Sequence, residues 1–167
     1  GSEMCIRDSS IALHHENEII AGVVYDPIHN DFYWAEDGLG AYLNDQRLRV
    51  KNKKTLDKSI IALGIPFLGR GNHQEHIKIQ QAVMSKVAGL RRFGAASLDL
   101  AFVAAGRVDG FWEFGLSSWD IAAGIILVKE AGGLAKGIDN KEDPLLTGNI
   151  VAGNVHIVQE LQKVINS

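Results

Sequence analysis

Residues 110–133 read GFWEFGLSSWDIAAGIILVKEAGG, and this stretch decides the fold class. Gly110 to Phe114 follows an Asp-Gly turn as a short aromatic strand. Ser117 or Ser118 then stands as an N-cap, Trp119 to Ala131 carries a helix, and Gly132-Gly133 ends it.

The alternation continues on both sides. Upstream, Ser59 to Leu63 is an apolar strand that stops at Gly64 and Pro66. Behind a possible cap at Asn72, residues 72–87 place Ile77, Ile79, Val83, Met84 and Val87 near helical spacing. Leu90 to Phe93 reads as a strand, and Ser97 to Ala105 as a small-residue helix ending at Gly106. Downstream come a strand over Asn149–Ala152 and an amphipathic helix over Val155–Ile165. Strands alternating with helices predict a layered α/β unit over residues 59–167 with a mixed sheet.

Residues 10–58 follow another pattern. Ile11-Ala12-Leu13, Ile19 to Tyr25, Phe32 to Ala35, Ala41-Tyr42-Leu43 and Arg47 to Val50 are short strand-like runs. Turn residues separate them at Glu16-Asn17, His29-Asn30-Asp31, Asp37-Gly38 and Asn44-Asp45. The expectation is an antiparallel meander, incomplete as a sheet layer, with Arg47–Val50 as its half-exposed edge. Its apolar faces need cover, and no helix precedes it. Residues 1–9, GSEMCIRDS, show neither strand alternation nor helical periodicity and lack the apolar core of a signal peptide. We read them as a foreign or artefactual leader.

Composition narrows the function. With 46% hydrophobic and 22% charged residues, the 167-residue chain can bury a true core. Net charge is −3, and its 17 basic residues are scattered apart from Lys51, Lys53, Lys54 and the Arg91-Arg92 pair, so there is no nucleic-acid footprint. A lone cysteine, Cys5, excludes an internal disulfide framework and suits a reducing cytoplasm. No apolar run approaches the roughly 20 residues of a membrane-spanning helix.

The candidate chemistry clusters around the opening stretch. Asp120 falls in the first helical turn, where a carboxylate is favoured by the macrodipole. The small residues Ala122, Ala123 and Gly124 allow a ligand or another element to approach closely. Glu113 interrupts an aromatic strand, and period-two alternation puts it with Phe111, opposite Trp112 and Phe114. Both carboxylates can reach one cleft at a strand's C-terminal end, the usual ligand position in open α/β sheets; an edge strand with Glu113 in water is the competing reading. Glu130, near the helix end, is expected to pair with a base or face solvent. Arg91 to Ser97 passes through Gly94, Ala95 and Ala96 into a helix start, but no phosphate-loop motif is present. His14-His15 and the pair His73 and His76 have metal-like spacing without clustered partners and read as surface residues. Gly-x-Ser-x-Gly is absent, so a hydroxyl nucleophile has no support.

Trp119-Asp120-Ile121-Ala122-Ala123-Gly124, with Glu130-Ala131-Gly132-Gly133 behind it, resembles the C-terminal signature of the inositol monophosphatase family. Gly22 to Pro27, Gly38 to Asn44 and Arg92 to Glu113 resemble family segments in the same order, so the resemblance covers Ser10 to Ser167, most like the bacterial enzymes. It implies an α-β-α-β-α sugar-phosphatase fold and a Mg2+-dependent phosphomonoesterase acting on myo-inositol monophosphates. Asp120 would be the catalytic metal ligand, also near the substrate; Glu113 would bind substrate hydroxyls, and Gly94, Ala95 and Ala96 would line the inositol side. Position 95 is often threonine or serine in the family, a contact that alanine lacks. The resemblance also implies an upstream glutamate pair and an Asp-Pro-x-Asp-Gly-Thr segment; nothing in residues 1–9 resembles them, so this chain alone is expected to be inactive. It further implies a cytoplasmic homodimer as the whole protein. Phosphatases of histidinol phosphate or of 3′-phosphonucleotides, and a non-catalytic interaction module, are the alternatives.

Overall fold

The computed structural model describes residues 8–66, 69 and 71–167. Most of the leader read at residues 1–9 lies outside them. Ser9 opens the first strand, β1 (Ser9–His15), which turns through Glu16 (φ 47°) and Asn17 (φ 68°) into β2 (Glu18–Asp26). β3 (Asp31–Glu36), β4 (Gly40–Leu43) and β5 (Gln46–Arg47) complete a five-stranded antiparallel sheet in the order β1-β2-β3-β4-β5.

The expected edge strand over Arg47–Val50 is shorter than predicted. Leu48 is buried, and Val50 donates its N–H to the Ala131 carbonyl at 3.1 Å. Leu48 still donates its N–H to the Ala41 carbonyl at 2.7 Å, and beyond it the chain leaves the ladder for the end of the helix that Ala131 follows.

The second sheet is mixed, as the alternation predicted. Its strands are β6 (Ile60–Leu63), β7 (Gly89–Arg91), β8 (Gly110–Glu113), β9 (Leu134–Lys136) and β10 (Ile150–Gly153), in the order β7-β6-β8-β10-β9. β6 pairs in parallel with β7 and β8, while β10 runs antiparallel to β8 and β9. The helices are α1 (His73–Met84), α2 (Ala96–Ala104), α3 (Ser118–Glu130), the single-turn α4 (Pro144–Thr147) and α5 (Val155–Ile165).

Two hydrophobic cores sort these elements into layers. One gathers Val24 and Tyr33 of the antiparallel sheet, Leu100 of α2, Ile126 of α3, and Phe111 of β8. The other joins Ile61, Trp112 and Val151, on the opposite face of the mixed sheet, to Val83 of α1 and Leu161 of α5. The described residues therefore stack as sheet, helices, sheet, helices, four layers of the expected α/β arrangement. None of their helices is long and apolar enough to cross a membrane.

The small residues of α3 serve this stacking. A Cβ on Gly22 of β2 would lie 2.9 Å from the Ala123 Cα and 2.7 Å from an Ile126 methyl, and one on Gly124 would collide with Leu100. Elements, not ligands, use that closeness. Glu130 is half-buried and pairs with no base among the described residues: its Oε2 accepts the Gly40 N–H at 2.8 Å and ties the helix end to β4.

Candidate active site

β8 sits in the middle of the mixed sheet, so Glu113 at its C-terminal end is not on an edge strand. Phe111 and Trp112 face the two different cores, which confirms the alternation read from the sequence. Past Glu113 the chain turns through Gly115 (φ 69°) and enters α3 with Ser117 as its extended N-cap residue. Asp120, in the first turn, accepts the Ser117 N–H on Oδ2 at 2.9 Å. Glu113, Ser117 and Asp120 line one cavity of about 260 Å³, closed on its other side by α1.

Gly64 makes room for the glutamate. It follows β6, donates its N–H to the Trp112 carbonyl, and any Cβ there would fall on the Glu113 carboxylate. Sequence reading used this glycine only as a strand stop; its contact with position 113 is long-range and leaves no local signal.

The electrostatics separate the carboxylates. Burial pushes Glu113 up to about 7, the Asp120 charge adds to this, and Arg92 opposes it. Asp99, on α2, is 1% exposed, and its Oδ1 has no hydrogen-bond partner among the described residues. Burial, followed by the charge of Glu113, pushes Asp99 up to about 8, against the pull of Arg92 and of the Ala95 N–H. Asp8 accepts a hydrogen bond from the Ser97 hydroxyl. Burial raises its pKa, the Ser97 bond opposes, and the charge of Asp120 adds to the rise.

The sequence-predicted residues do not all meet. Glu113 and Asp120 share the cavity, whereas Gly94, Ala95 and Ala96 form the loop and first turn of α2 outside its lining. Gly94 takes φ 91° with open space where a side chain would be, and Ala95 occupies the N-cap position. The His73/His76 pair divides: His73 is exposed, but His76 is 5% exposed and packs on Trp112 with ring centroids 5.1 Å apart. The surface expectation fails for His76 because that turn of α1 faces the sheet.

As to a metal, Asp120 offers hard carboxylate oxygen of the kind magnesium takes. No group of three or more His, Cys, Asp or Glu among the described residues is arranged to hold an ion. They fit one ligand position rather than a whole coordination sphere.

Layered sheets and helices, with an acid-lined cavity at the carboxyl end of a central strand, define a ligand-binding α/β protein of the kind that handles small polar molecules. The profile of the inositol monophosphatase family matches residues 4–167, and the chain belongs to that family. It is 51% identical to an inositol-1-monophosphatase of Rhizobium meliloti (strain 1021) over 93% of this chain and 59% of that one. It is 45% identical to the Nus factor SuhB of Escherichia coli (strain K12), over 91% of this chain and 57% of the relative. Among solved structures, the extragenic suppressor protein suhB from Bartonella henselae superposes with a TM-score of 0.91 at 46% identity, covering 95% of this chain and 60% of that one. The chain thus spans about three fifths of the length of the relatives it matches.

Proposed function

We propose that the whole protein is a magnesium-dependent phosphomonoesterase that hydrolyses myo-inositol monophosphates to inositol and phosphate. The observation that carries this reading is the meeting of Glu113 and Asp120 in one cavity, in a chain that belongs to the inositol monophosphatase family. Asp120 is the residue of this chain that would hold magnesium. When bound, that ion supplies Lewis-acid polarisation of the phosphate and lowers the pKa of a bound water.

The residues of the chain have their own tasks. Glu113 accepts hydrogen bonds from hydroxyls of the alcohol half and orients it, its carboxylate lying in the space that Gly64 leaves beside the end of β8. The Ser117 N–H holds the Asp120 carboxylate in one orientation, so its position at the helix start is preset. Apolar walls from Ile65, Ile79 and Phe114 limit water around the bound alcohol.

Phosphate release by the whole protein with magnesium, measured on myo-inositol 1-phosphate, histidinol phosphate and a 3′-phosphonucleotide, tests the reading. Preference for the inositol ester supports it, and preference for either other ester overturns the substrate assignment. The Escherichia coli relative named Nus factor SuhB favours a second reading, a non-catalytic interaction module. No phosphate released from any of the three would favour that one instead.

A further inference from the structure

Six of the 17 basic residues fall within the twelve positions from Arg47 to Lys58: Arg47, Arg49, Lys51, Lys53, Lys54 and Lys58. Asp57 is the one acid among them, so the segment carries +5 and the rest of the chain −8. The whole-chain charge of −3 hides this separation. All six are exposed, and none forms an ion pair among the described residues. An ordinary solvated face intersperses both signs.

The fold holds this segment as a fixed strap. Leu48 and Leu56 are buried near its two ends, and the Val50 N–H reaches the Ala131 carbonyl. Between them lies Asn154, 6% exposed, whose side-chain amide donates to the Lys51 carbonyl at 2.8 Å and the Lys53 carbonyl at 2.7 Å. The Lys51 stem lies along Gly106, where any Cβ would come within 3.3 Å of its Cγ. Arg47 stands 6.0 Å over the Tyr42 ring. Leu48 and Val50 are tied inward, so Arg47, Arg49, Lys51 and Lys53 face solvent at every second residue, a row of up to about 20 Å. Fixing like charges in a row without acids between them is destabilising through self-repulsion, which a bound polyanion would relieve.

The strap stands apart from the cavity. Asp120 lies in the first turn of α3 and Ala131, which Val50 meets, just past the last, roughly 16 Å apart along the axis. Cations in a row do not converge on one phosphate; they match a polymer charged on every unit. An acidic protein segment would also want an apolar anchor, since protein interfaces bury a hydrophobic centre and are depleted in lysine. The strap's two leucines are buried, and four of its six cations are lysines. A nucleic-acid backbone is held by charge without such an anchor. The strap is a single line rather than a helix or ribbon that could enter a duplex groove. We propose that the strap from Arg47 to Lys58 binds the phosphodiester backbone of a single-stranded nucleic acid, independently of its sequence. This goes beyond the phosphatase reading and does not rest on it.

The test follows binding of a fluorescein-labelled oligouridylate to the whole protein by fluorescence anisotropy, without magnesium, between about 50 and 200 mM salt. The logarithm of affinity should fall against that of salt with a slope of about −3 to −4, the value for some five single-strand phosphate contacts. Lys51→Gln/Lys53→Gln/Lys54→Gln should weaken binding at least about 10-fold and flatten the slope by about 2. Lys78→Gln/Lys86→Gln/Lys141→Gln removes the same charge from exposed positions elsewhere and should stay within about 2-fold of wild type. Thermal melts check folding; if the strap variant melts early, Lys53→Gln/Lys54→Gln, which leaves the Lys51 stem on Gly106, takes its place. Competitors name the chemistry. Displacement by oligodeoxythymidylate as well as by oligouridylate makes the backbone of either nucleic acid the ligand, and displacement by oligouridylate alone makes it RNA; both uphold the proposal. Equal displacement by oligoglutamate makes the strap a surface for acidic protein segments and overturns it. No binding at the lowest salt, or equal weakening in both lysine variants, also overturns it. Phosphate release by the strap variant should match wild type, so failure here leaves the phosphatase reading untouched.

Discussion

The middle of α3 and its first turn belong to one helix but obey opposite rules. In the middle, Ala123 lies against Gly22 of β2 and Gly124 against Leu100 of α2, at distances that leave no room for a single added methyl. The residues α3 buries there, from Ile121 to Val128, carry no polar side chain. At the first turn, Asp120 opens on a cavity, and the neighbouring elements carry enclosed polar atoms without partners among the described residues, Asp99 Oδ1 and the Trp112 indole N–H. A fold optimised only for stability would exchange these for apolar atoms. The contrast teaches that α3 is anchored by its tight middle so that its start can stay unsaturated.

The largest break of this contrast comes from the open end. In the whole protein, Asp120→Asn should lower turnover about 1000-fold, roughly 4 kcal/mol, because a metal-directed charge is lost. Asparagine still accepts the Ser117 N–H, so the melting temperature should hardly move. Phosphate release and a thermal melt on the same sample check both halves, and wild-type turnover would refute the metal role.

Next comes the pH dependence set by Asp99, which faces Glu113 and Arg92. Folded, its carboxyl keeps a proton up to about 8, whereas its ordinary value is 3.8. The folded state therefore binds more protons between these values, and stability falls as pH rises from about 4 to about 8. Asp99→Asn should flatten the curve of melting temperature against pH across that window. An equally steep curve in the variant would locate the titrating group elsewhere.

The tight middle was the more legible of the two ends, though for an indirect reason. Ala122 to Gly124 announced close approach, but sequence alone did not say whether a ligand or an element would come near. Helix boundaries were readable where a cap coincided with periodicity. Asn154 accepts the His156 and Ile157 N–H groups, and α5 begins at Val155 as expected. Gly132, at φ 83°, follows the end of α3. β9 and α4 were missed because three or four residues carry no period; only Asp143, accepting the Leu145 N–H ahead of Pro144, signalled α4. At the site, Glu113 and Asp120 were legible as a carboxylate inside an aromatic strand and another at a helix start. Gly64, Asp99 and the α1 wall were not, since their roles come from contacts between segments far apart in the chain.

Gly22→Ala tests the closed end with a smaller effect. The added methyl would meet the Ala123 backbone at 2.9 Å, and a helix backbone cannot yield as a side-chain tip can. We expect a destabilisation of about 2 kcal/mol, read as a lower midpoint in urea at unchanged slope. Substrate affinity should be retained by whatever fraction stays folded. A neutral result would mean that β2 and α3 slide apart freely, which would remove the anchor from the comparison.

The smallest effect should appear where the two ends are joined, at Gly64. An alanine there would put its methyl on the Glu113 carboxylate, and the flexible glutamate, not the strand, would give way. Stability should change little, because the Glu113 side chain makes no hydrogen bond among the described residues. In the whole protein, KM for an inositol ester should rise about 10-fold, roughly 1.4 kcal/mol, with kcat less affected, since a displaced carboxylate binds hydroxyls poorly but leaves Asp120 in place. Glu113→Gln should move KM in the same direction and by less, and combining it with Gly64→Ala should add almost nothing if both act through the same carboxylate. Full additivity would show that Gly64 shapes the cavity by some route other than Glu113, and the unsaturated end of the molecule would then be less dependent on its packed surroundings than the contrast within α3 suggests.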